Sequence, residues 1–267
     1  MSTTRDDDNP FAPPKAAVLE AQSPDGELIA DGQKVATSRG VEWFSEAWGL
    51  FKASPGIWVV MFIVFMVLSL VFAIIPMGSL VSSLCYPAVV AGVMLGCRSL
   101  EEGGALTVGH LFAGFKKNVG SLILVGLLYM VGMMLIGFVA GISAALMIPF
   151  MMGGTNFNPN DFSSLMAMAP WFVLIALIAL ALMLPLIMAL WFAPALVVFH
   201  DMQPMASMKA SFQGCLKNFV PFLVYGIVGF LLGVLALVPF GLGLLVYGPL
   251  LWGTMYVGYR DIFVRTA

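Results

Sequence analysis

The chain has 267 residues, 61% of them hydrophobic and only 10% charged, with a formal net charge of −2. Soluble domains run roughly 45–50% apolar and about 25% charged, so most of this chain has lipid rather than water as its solvent. A weakly acidic balance without clustered cations excludes nucleic acid as a partner, because phosphate binding needs concentrated Lys and Arg.

In chain order, residues 1–40 come first: Asp6 to Asp8, Pro10, Pro13, Pro14, Pro24 and Gly26 interrupt any period, and few apolar residues are available to bury. That composition predicts a disordered, acidic and Pro-rich cytoplasmic tail, followed by a membrane domain over 41–267. The tail lacks the 7–15-residue apolar stretch of a cleavable signal, so insertion is expected to use the first span. Six apolar blocks then follow at 57–77, 80–97, 119–150, 171–199, 219–238 and 244–259. Apart from the short sixth, each approaches or exceeds the ~20 residues needed to cross ~30 Å of hydrocarbon.

The 12 Lys and Arg all fall in the tail, after the second, fourth and sixth blocks, or just before the first. The alternate connections, around Pro76 to Ser79, Gly153 to Pro170 and Pro239 to Gly243, carry none. By the positive-inside rule both termini are cytoplasmic.

A short motif precedes the first, third and fifth blocks: Trp48 to Pro55, Phe112 to Val119 and Phe212 to Phe219. An aromatic opens each, a Lys follows four or five residues on, and Ser54, Asn118 or Asn218 closes it. Such self-similarity predicts one unit used three times, an amphipathic helix and a two-span hairpin. Val41, Phe44, Trp48 and Phe51 form one apolar stripe at helical spacing, and Val108, Leu111, Phe112 and Phe115 another. Met205, Met208, Phe212 and Phe219 form the third. These stripes suit either the lipid interface or the helix bundle. In the interfacial case Lys52, Lys116, Lys117, Lys209 and Lys217 meet anionic headgroups. Ser54, Asn118 and Asn218 are expected to cap the helices that follow, and Asp201 the helix through Met205.

The middle unit is the longest, with Asp161 as its single charge between Val119 and Phe199. Its first block would reach ~48 Å as a helix, so it must tilt, break or protrude. Gly pairs four apart, Gly92 with Gly96, Gly137 with Gly141 and Gly229 with Gly233, suit close helix approach. Cys85, Cys97 and Cys215 read as small apolar fillers.

The entry motif, sharpest at His200, Asp201, Met205 to Met208, Ser211, Lys217 and Asn218, resembles small six-span bacterial inner-membrane proteins related to the membrane domain of glycerophosphodiester phosphodiesterases. The resemblance covers roughly Val41 to Arg265 and implies a six-span fold. It brings no catalytic residues, and the hydrolase domain is absent.

Within the six blocks stands no Asp, Glu, Lys, Arg or His. That argues against ion-coupled transport and intramembrane proteolysis, which need such groups. His110 and His200 lack the spacing of metal ligands, so neither metal nor cofactor is expected. The sequence therefore describes an all-α polytopic bundle of three hairpins, non-enzymatic, acting by contact with membrane lipid or a partner membrane protein. The alternative is a permeation pathway for a small neutral or amphipathic solute, which a dry, fully packed interior would exclude. An enzyme would require Asn118, Asn218, His110 and Asp201 to converge.

Overall fold

The computed structural model describes residues 27–154 and 162–265. Apart from two-residue strands, β1 (Glu27–Leu28) and β2 (Val264–Arg265), its regular structure is helical. Helix α1 (Arg39–Ala53) leads into α2 (Pro55–Ile74) and α3 (Gly78–Glu101). A 3-10 helix (Val108–Phe115) leads into α4 (Val119–Gly154), α5 (Phe162–Trp191) and α6 (Ala193–His200). Finally α7 (Pro204–Lys217) leads into α8 (Phe219–Leu237) and α9 (Leu244–Phe263).

Among the described residues, α2, α3, α4, α8 and the segment Ala169–His200 are long and apolar enough to cross a membrane. Helix α9 matches α2 in length, 20 residues, but carries Thr254, Tyr256, Tyr259, Arg260 and Asp261. Its polarity reflects its place: Trp252, Gly253, Tyr256, Val257 and Ile262 are buried inside the bundle. The chain is an all-α multi-pass membrane bundle.

Two boundaries depart from the sequence pattern. The fourth long helix begins at Phe162 and passes through Pro170, where the sequence pattern predicts a connection instead. It then breaks after Trp191 instead of running on to Phe199. The cause of the break is a hydroxyl inserted into the backbone ladder: the Phe192 amide donates to Ser211 Oγ at 2.9 Å, and Ser211 donates to the Met188 carbonyl at 2.6 Å. Helix α4 runs unbroken for 36 residues, ~54 Å, which leaves tilt or protrusion. Asp161 lies outside the described residues.

The larger correction concerns the tail. Residues 27–40 do not belong to it, because they are built into the end of the bundle that carries the Lys and Arg residues. β1 pairs antiparallel with β2, and the Gln33 amide donates to the Ile262 carbonyl at 2.8 Å. Asn218 clamps the same segment by accepting from the Val35 amide and donating to the Gln33 carbonyl, each at 2.8 Å. Gly32, at φ +65°, makes the turn beneath Ile262 and Phe263, where a side chain would collide.

The three short helices pack by one rule. The 3-10 helix lies on α3, α7 lies on α5 and α6, and α1 closes the ring by lying on α9 and α8. In lipid, apolar area alone does not drive helices together, so these contacts depend on close backbone approach. Gly92 abuts the His110 carbonyl, and Gly114 abuts the Ala88 carbonyl, leaving no room for a Cβ at either. Gly137 and Gly141, by contrast, face nothing within 4 Å.

Candidate functional site

Two regions gather chemistry, a polar network at the charged end and a cavity deeper in the bundle. In the network, Arg39 of α1 pairs with Asp261 of α9 at 2.5 Å and with Glu46 at 2.7 Å. Arg260 of α9 reaches Glu46 at 2.7 Å and also Glu101 of α3, which accepts from the Tyr256 hydroxyl at 2.6 Å. Trp43 donates its indole N–H to Asp261 at 2.8 Å. Burial opposes the charge on Arg39, but its bonds to Asp261, Glu42 and Glu46 outweigh that and raise its pKa. Each charged group named here contacts an opposite charge, so the network joins α1, α3 and α9.

Beyond the network comes a layer of fully buried side chains, among them Trp43, Met94, Phe192, Leu196, Val197 and Phe263. Deeper along α3, α5 and α9 the packing opens into a cavity of about 630 Å³. That volume lies within the roughly 300–1,000 Å³ of ligand sites. Helix α3 contributes Ser83, Tyr86, Pro87 and Val90; α5 and α6 contribute Ile187, Leu190, Trp191 and Pro194; α9 contributes Gly248, Leu251, Trp252 and Met255. The spacing is i, i+3, i+4, i+7 in all three cases, so one face of each long helix turns towards a shared space. Phe62 and Met66 of α2, Tyr129 of α4, Tyr225 of α8, and Leu244 and Tyr247 of α9 complete it. Among the described residues, no charged one lines it. Two other hollows, of about 440 Å³ between α4 and α5 and about 530 Å³ among α1, α8 and α9, are gaps between neighbouring helices.

The residues singled out from sequence lie elsewhere. Lys52, Lys116, Lys117, Lys209 and Lys217 are all exposed. Lys217 donates to the carbonyls of Asp31 and Gly32 at 2.8 and 3.1 Å. Ser54 and Asn218 occupy the N-cap positions of α2 and α8, but neither makes a capping bond through its side chain. Asn118 instead donates to the Val197 carbonyl at 2.9 Å and to Asp201 at 2.6 Å. Asp201 closes α6 in a left-handed conformation, and Gln203 holds the N-cap of α7. The motif's asparagines thus hold neighbouring segments: Asn118 the approach to α7, Asn218 the approach to α1. Of the four polar residues that an enzyme would require to converge, Asn118 and Asp201 meet. His110 bonds to Thr107, and Asn218 to residues 33 and 35.

The predicted stripe on α1 is rotated. Trp43, Phe44, Ala47 and Phe51 are buried, whereas Val41 and Trp48 are exposed. The cavity was not singled out from sequence. Its signal lay in Tyr86, Tyr129, Tyr225 and Tyr247, each inside an apolar block where Phe or Leu would serve for lipid contact.

The chain is similar to a probable inner membrane protein of Burkholderia thailandensis, 29% identical over 210 residues that cover 75% of this chain and 76% of that protein. No family model and no solved structure matches. With its apolar helices, this likeness identifies a multi-pass protein of the bacterial inner membrane.

Proposed function

We propose that this inner-membrane protein binds a lipid-class molecule in the central cavity and acts by that binding, without catalysis, with its charged end facing the cytoplasm. The observation that carries this reading is the cavity itself, lined by matching faces of three long helices in a bundle otherwise closed at its charged end. Its apolar and aromatic walls suit a hydrocarbon chain, and the absence of lining charge disfavours ions. The exposed Lys52, Lys116, Lys117 and Lys209, which form no ion pair among the described residues, support additional contact with anionic headgroups. The resemblance to phosphodiesterase-associated membrane domains, which brings no catalytic residue, fits a binding role.

Mass spectrometry of protein released gently from its native membrane tests the reading. Wild type is expected to retain a lipid-class molecule at about one per chain, and Leu251→Phe or Met66→Trp, which fill the cavity or narrow its mouth, should lose it while staying folded. Equal retention by the filled variants would refute the site.

A permeation pathway for a small neutral or amphipathic solute is the second reading, favoured by the same unfilled interior. It requires the buried layer at Trp43, Met94 and Phe263 to part. Solute flux into vesicles carrying the protein, above that of empty vesicles, would establish it over simple binding.

A further inference from the structure

The hydroxyls around the cavity are not equivalent. Tyr225 meets Thr254 Oγ1 at 2.9 Å, and Thr254 donates its own proton to the Leu251 carbonyl at 2.7 Å, so Tyr225 is the donor to Thr254. Tyr247 donates to the Gly229 carbonyl at 2.8 Å. Both protons are used within the protein. Tyr86 and Tyr129 also line the cavity, yet neither hydroxyl bonds to any described residue. No buried side-chain nitrogen or oxygen among the described residues is left without a partner, so these two hydroxyls are accessible rather than sealed in packed protein, on side chains that line the cavity.

Interfacial anchoring does not account for them. Tyr belts sit at headgroup level. Tyr86 is the ninth residue of the 24-residue α3, and Tyr129 the eleventh of the 36-residue α4, roughly 15 Å along its axis. Two phenol donors at that depth, in an apolar chamber, are costly unless an acceptor meets them. Lipid tails supply none.

We propose that the cavity's ligand is a neutral lipid with hydrogen-bond-accepting oxygens, such as ester or ring carbonyls, received by Tyr86 and Tyr129. The inference rests on the reading that the cavity holds a lipid-class molecule and specifies its chemistry. A phosphate or free carboxylate would enter a chamber whose walls carry no cation, leaving a buried charge unpaired. A carbonyl needs only donors, and two stand unused. Carbonyl-bearing neutral lipids come from two sources, acylglycerols and prenylated quinones. The trapped apolar portion would contact Trp252, Leu251 and Met66.

The test uses the full chain in phosphatidylcholine vesicles containing a photoactivatable diacylglycerol, prenylquinone or phosphatidylglycerol, with crosslinks mapped to peptides. A neutral probe is expected to label the α3 and α4 peptides bearing Tyr86 and Tyr129, and whichever neutral probe dominates names the source. The double variant Tyr86→Phe, Tyr129→Phe should label about tenfold less, from two lost hydrogen bonds, with thermal unfolding unchanged. Equal cavity labelling by phosphatidylglycerol, or undiminished labelling of the double variant, would overturn the neutral-carbonyl assignment and leave lipid occupancy standing. Cavity peptides unlabelled by every probe would overturn both.

Discussion

The charged end and the deeper half of this bundle are built from the same long helices to opposite effect. At the charged end α3, α6 and α9 are wedged by three short helices until residues such as Met94, Val197 and Ile262 lose all contact with solvent. Further along, the same faces of α3 and α9 diverge around empty volume, and α2, α4, α5 and α8 turn mostly outward. The short helices make the difference, because they fill the space between long helices at one end only. A bundle packed at one end and hollow further in suits binding, the function proposed for it.

Damage should therefore depend on which half it strikes. The largest effect is expected for Trp43→Ala, which removes a buried ring packed on Phe222 and Tyr225 and the bond to Asp261. A loss of about 3–5 kcal/mol, read by thermal unfolding in detergent, is expected. Phe62→Ala, at the cavity wall, should cost clearly less, since that ring is only partly buried and makes no hydrogen bond. Gly114→Ala comes next, forcing a Cβ onto the Ala88 carbonyl and costing about 1–3 kcal/mol, while Gly137→Ala should leave stability unchanged or slightly raised. Equal effects at the two glycines would break the distinction between the halves.

Asn218→Ala should cost about 1–3 kcal/mol by orphaning the Val35 amide and Gln33 carbonyl. Faster protease cleavage within residues 27–38 is the specific readout. Smallest is the acid response of Glu42, whose pKa the Arg39 guanidinium lowers below the ordinary 4.5. A carboxylate held low in the folded state adds stability above its unfolded pKa and loses it as pH falls through its folded value. Glu42→Gln should therefore lower stability slightly at neutral pH and flatten the small loss that wild type shows below about pH 4.5, so that the two converge in acid.

Much of this architecture was legible because the long helices announce themselves by hydrophobicity and the charged end by the distribution of Lys and Arg. Residues 27–40 were misread for a physical reason. They have no period of their own, and their order comes from Asn218, Ile262 and Phe263, more than 180 residues away. The capping role given to Asn118 and Asn218 failed likewise, since local spacing shows where an amide sits but not which distant segment it holds. The stripe on α1 was rotated because Trp48 and Trp43 are equally apolar, and only packing on α8 and α9 distinguishes them. The cavity face was hidden for a related reason: on a helix apolar all round, one face has no contrast with the others. Only its tyrosines stood out.

The most direct measurement is an electron cryomicroscopy map of the protein in nanodiscs made from its native lipids. Elongated density is expected between Tyr86, Leu190 and Trp252, in contact with the Tyr129 side chain. A map in which Phe62, Met66 and Trp191 close together and leave no volume between α3, α5 and α9 would contradict it.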